Sequence, residues 1–72
     1  MTPELLTECG RTLYGQQWQS ALARDLGVSD RTMRRWAAGG HPVPAGLRAE
    51  LVTLLKERGV MLDALAERLS SA

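Results

Sequence analysis

The sequence predicts an all-α domain of about five short helices. Apolar residues recur three and four positions apart through most of its 72 residues. Helix-starting residues and glycine stops alternate at intervals of one short helix, and no stretch shows the strict apolar/polar alternation of a half-buried strand. No internal repeat or low-complexity tract interrupts this pattern.

Thr2 is a good N-cap, Pro3 suits a first helical position, and Glu4 meets the positive end of the helix dipole. Leu5, Leu6, Cys9 and Leu13 then recur at helical spacing, which predicts a first helix ending near Gly15. A second begins at Gln17 or Trp18, turns Trp18, Leu22, Ala23 and Leu26 inward, and stops at Gly27. Ser29 caps a third, with Asp30 in its first turn, running to about Ala38 before Gly39 and Gly40. The segment from Gly39 to Pro44 reads as a loop, and Pro44 is placed to open a fourth helix carrying Leu47, Leu51, Leu54 and Leu55 until Gly59 closes it. A fifth is expected from about Val60, with Leu62, Leu65, Ala66 and Leu69 on one side, so that helices four and five span 44–69. Ser70, Ser71 and Ala72 are expected to fray.

A chain of this size, 44% hydrophobic and 4% aromatic, has room for one compact domain built mainly from Leu, Ala, Val and Met. Such a core supplies only about 3–5 kcal/mol. Burying a further face against a second copy would add to that, and we expect a homodimer. The leucine stripe of the fifth helix would close the monomer's core or pair with the second copy, and symmetry favours the pair.

The lone cysteine, Cys9, allows neither an internal disulfide nor a site of paired cysteines, which fits a reducing compartment. No basic leader with an apolar run behind it opens the sequence, and no stretch approaches a membrane span, so a cytoplasmic protein is expected. Met1 is present and Thr2 with Pro3 starts a helix cleanly, so truncation is not expected. One Cys, one His, no glycine-rich phosphate loop and no carboxylate pair with an evident cleft argue against an enzyme. No metal, cofactor or small-molecule ligand is expected.

The net charge of +1 is small for a partner of nucleic acid, but it is unevenly placed. Residues 1–15 carry one negative charge in excess and residues 48–72 balance. Residues 24–35 set Arg24, Arg31, Arg34 and Arg35 against Asp25 and Asp30, which concentrates the positive excess in one short window.

That window lies within the stretch from Gln19 to Trp36, QSALARDLGVSDRTMRRW. Two short helices joined through Gly27 and Val28 must turn sharply, and Ala23 is small enough for them to approach. With about 100° per residue and Asp30 at zero, Arg34 falls near 40°, Arg31 near 100° and Arg35 near 140°. Met33 and Trp36 fall near 300° and 240° on the same scale. A helix buried by Met33 and Trp36 would therefore hold three guanidinium groups outward, the right size and chemistry for the major groove of DNA. Arginine also serves phosphate, so the triplet alone cannot name an operator.

This stretch resembles the helix-turn-helix of phage Cro and cI-type repressors. Gln19 matches the frequent opening glutamine, Ala23 the small residue, Gly27 the turn glycine, Val28 the apolar turn residue, and Met33 and Trp36 the buried pair of the reading helix. The resemblance implies a lambda-repressor-like helix-turn-helix domain over the whole chain, with the motif at 19–38. The loop GGHPVP and the closing helices also look like small prophage regulators, including anti-CRISPR-associated repressors. Carried over residue by residue, it implies that Ser29, Asp30, Arg31, Arg34 and Arg35 approach bases and nearby phosphates, with Gln17 or Gln19 on a phosphate at the start of the second helix.

Other uses of these residues stand beside that one. The arginines could form an ordinary solvated face, a reading that the filled buried positions of the motif outweigh. Asp30 could accept from cytosine N4, answer the helix dipole, or pair with Arg34 one turn on. Trp18 and Trp36 read as core, and Cys9 as a small buried hydrophobe. His41, alone in a Gly/Pro loop, has no partners for a metal or for proton transfer, and contact with the DNA backbone is its other use. The expected function is a sequence-specific regulator, a repressor or autorepressor on a palindromic operator. The alternative is a protein-interaction module or antitoxin using the same fold.

Overall fold

Thr2 begins the first helix as its composition suggests: its hydroxyl accepts from the Leu5 amide at 3.1 Å, and Pro3 follows in the first turn. The computed structural model describes residues 1–71, and among them every regular element is an α-helix. They are α1 (Pro3–Tyr14), α2 (Trp18–Leu26), α3 (Asp30–Ala38) and α4 (Leu47–Ser71).

The boundaries of the first three follow local chemistry. At the end of α2, Gly27 adopts φ 72°, and the Gly27 and Val28 amides return to the carbonyls of Arg24 and Ala23. This pair of bonds satisfies carbonyls that a helix end leaves open, and it needs a residue without a Cβ penalty at positive φ. Gly39 and Gly40 close α3 in the same way on Trp36 and Arg35. Between them, the Ser29 hydroxyl accepts from the Thr32 amide at 3.1 Å and fixes where α3 begins.

Leu6, Leu13, Trp18, Leu22, Ala23, Met33, Trp36, Leu47 and Leu51 make the buried core. The first three helices pack on one another, and α4 lays its first turns mainly against α1. Cys9 and Leu26 are only partly buried beside that core. Within α1 the expected stripe is shifted. Leu5 is exposed, whereas Gly10 is buried because the indole of Trp18 lies directly against it.

The C-terminal third differs most from expectation. Helices four and five are one continuous helix of 25 residues, and Gly59 does not end it. A glycine stop works through a left-handed residue, and among the described residues positive φ occurs only at Gly15, Gly27 and Gly39. Glycine inside a helix costs about 1 kcal/mol against alanine, which the helix formers on both sides offset. The start is also displaced. Pro44, Ala45 and Gly46 make a turn in which the Leu47 amide donates to the Pro44 carbonyl at 3.1 Å, so the helix proper begins three residues after the expected proline. Ser70 and Ser71 continue α4 and do not fray; Ala72 lies outside the described residues. The uninterrupted α4 gives the described chain extents of 48 × 22 × 20 Å.

Candidate nucleic-acid interface

Met33 is fully buried and Trp36 is 8% exposed, and these two anchors determine which way α3 faces. The face of α3 opposite them points outward, and Asp30, Arg31, Arg34 and Arg35 are all exposed, while Ala37 packs beside the core. The angular arithmetic from the sequence is therefore reproduced in the packing. Only two residues lie between Leu26 and the Ser29 cap, so α2 and α3 are coupled through backbone as well as through Leu22, Ala23 and Met33 in the core.

The acidic residue of this surface is engaged by α2. The Ser20 hydroxyl donates to Asp30 Oδ2 at 3.3 Å, across the turn, and this contact holds the start of α3 to the first turn of α2. Ser29 is occupied as the cap: besides accepting from the Thr32 amide, its hydroxyl donates to Thr32 Oγ1 at 2.9 Å.

Two shallow hollows flank α3. Arg34, Gln19 and Arg11 line one, together with the edge of Trp18. Arg35, Thr32 and His41 line the other, where Arg35 Nη1 lies 3.4 Å from His41 Nε2. The first hollow places a second cation and an amide beside Arg34, a set of donors suited to an oxyanion such as a phosphate. The second brings the loop histidine to the end of the arginine row. Gln17 is exposed just before α2, and its side chain makes no capping bond there.

Three contributors were not legible in the sequence. Arg11 belongs to α1, and only tertiary packing brings it beside Gln19 and Arg34. Ser20 would pass for any exposed helix residue. Arg58 lies far along the chain, yet it donates to the Leu13 carbonyl at 2.7 Å and stacks 5.4 Å over the Tyr14 ring. The Tyr14 hydroxyl in turn donates to Asp25 at the far end of α2. Desolvation, the hydrogen bond to Asp25 and the charge of Asp25 push the Tyr14 pKa up to about 12, against opposing effects of Arg58 and Arg24. This cluster ties the end of α1 to α2 and to α4. Cys9 has its thiol pushed upward, chiefly by burial and then by the charge of Glu8, so it is a poor nucleophile at neutral pH.

No helix in the described residues is long and apolar enough to cross a membrane. Comparison with protein-family models, with curated proteins and with solved structures finds no match to this chain.

Proposed function

We propose that this protein is a sequence-specific DNA-binding regulator of the helix-turn-helix kind, with α3 as its reading helix. The observation that carries the reading is the division of α3 into two faces: Met33 and Trp36 in the core, and Arg31, Arg34 and Arg35 in solvent. A short helix so anchored, reached through a two-residue turn from α2, can enter the major groove while Gln17, Gln19 and Arg11 meet the flanking phosphates. Ser29 and Asp30 lie at the end that would enter first. Because Ser20 restrains Asp30, its carboxylate stands beside the arginines as a selector for cytosine N4 at most, with the guanidiniums supplying affinity.

With no catalytic constellation to assign, regulation would follow from occupancy. A homodimer on a palindromic operator, its two reading helices about 34 Å apart, would exclude polymerase from a promoter and act as a repressor or autorepressor. The exposed apolar residues of α4 favour a second reading, an interaction module or antitoxin that docks on a protein partner.

A titration against the duplex upstream of the protein's own gene, at about 50 and 200 mM salt with a scrambled duplex as control, separates the two. Eight arginines in a dimer, Arg11 included, predict a loss of up to about ten-thousandfold in affinity across that range, with strong preference for the cognate duplex. Equal and weak binding to both duplexes would refute the reading.

A further inference from the structure

The apolar stripe of α4 does not stop where the domain stops. Leu47, Leu51, Leu54 and Leu55 on its first turns belong to the core or pack against it. At about 100° per residue, Met61, Leu62, Leu65 and Leu69 continue along the same side. These four are 65%, 60%, 51% and 72% exposed. The change comes at Arg58, whose guanidinium is held on the Leu13 carbonyl and the Tyr14 ring, where α1 ends. Beyond that point α1 offers no further surface and α4 runs on alone.

We infer that a second copy of this chain covers the free half of α4, the two copies pairing through Met61, Leu62, Leu65 and Leu69. Three observations point to a second copy. The spacing 55, 58, 62, 65, 69 alternates four and three, the period with which two helices mesh along a seam. The single charge on that seam, Arg58, is already turned to α1 and satisfied there, so it does not obstruct a partner. Residues 58–71 carry Arg58 and Arg68 against Asp63 and Glu67, so two copies meet without net repulsion.

The area agrees. The four residues, 51–72% exposed, offer at most roughly 450 Å² per chain, so two such patches with their rims approach the ~1,000 Å² at the lower end of specific interfaces. Gly59 and Ala66 flank the seam on one edge and leave room for close approach. A helix half of this length, uncovered in water, is marginal by itself, so pairing and helicity should rise together. As an account of how two reading helices are joined, the pairing rests on the proposed function, but the contacts that make it do not involve DNA.

Sedimentation equilibrium of the protein without DNA, from about 1 to 200 µM, tests it, with an expected dimer dissociation constant on the order of micromolar. Leu62→Glu/Leu65→Glu should weaken association at least about a thousandfold and leave a mostly monomeric protein at the highest concentration. Cooperative melting followed by Trp18 and Trp36 fluorescence would report the intact domain. Val60→Glu, off the seam on an exposed position, should leave the dimer unchanged. A wild-type monomer throughout, or a double variant that still pairs, would overturn the inference, as would a Val60→Glu protein that dissociates equally. A dimer that fails to discriminate between duplexes would remove the DNA reading and leave the pairing in place.

Discussion

Gly10 and Gly59 both sit inside helices, and replacing each by alanine should move stability in opposite directions. Intrinsic propensity alone favours alanine at either position by about 1 kcal/mol. At Gly59 nothing stands within 4 Å of an added Cβ and φ is not positive, so that gain should be realised. The expected rise in melting temperature is about 4–8 °C if α4 melts with the domain, and otherwise appears as added helicity in the far ultraviolet. At Gly10 an added Cβ would meet Trp18 Cε3 at 2.1 Å and Cδ2 at 2.4 Å, well inside van der Waals contact. The indole cannot simply swing away, because Trp18 is only 3% exposed and packed among the core leucines. Separating α1 from α2 to admit the methyl should cost about 3 kcal/mol, more than propensity returns, for a net loss of about 2 kcal/mol. Thermal denaturation of the two variants against the wild type decides it. A Gly10→Ala protein that melts at or above the wild type would refute the close packing of α1 on the Trp18 indole.

Other expectations follow from the same contacts. Trp36→Ala should destabilise the protein by about 3–5 kcal/mol in a denaturant titration, since it empties a core site; an unchanged midpoint would contradict its burial. Arg34→Ala should leave circular dichroism and melting intact while costing about 1–3 kcal/mol of binding to the cognate duplex if it reads a base, and joint loss of folding and binding would show that its face is misassigned. Tyr14 is the sole tyrosine, so its absorbance near 295 nm reports one group: half-ionisation should come at about pH 12 in the folded protein and return towards the ordinary value of 10.0 in Asp25→Asn. Because folding raises this pKa, the contribution of Tyr14 to stability is complete below about pH 10 and is lost as pH rises towards 12. Tyr14→Phe should remove that part of the alkaline destabilisation.

The helical class, the limits of α1 to α3 and the two faces of α3 are legible from the order of the residues alone. Each of these depends on neighbours within about one turn: a hydroxyl three residues from the amide that it caps, a glycine free to adopt positive φ, and arginines and anchors separated by the helix period. That order could not settle what Gly59 would do, because a glycine within a run of helix formers is a stop only if the chain turns there, and that is decided by whether packing rewards the turn. It also could not place Arg11 beside Arg34, the indole of Trp18 on Gly10, or Arg58 on the end of α1. Those contacts join residues on different helices, and their partners are selected by how the helices pack, which no local pattern encodes. The length of α4 and the apolar stripe that it leaves uncovered are therefore tertiary facts, whereas the arginine face was written in the spacing of the residues.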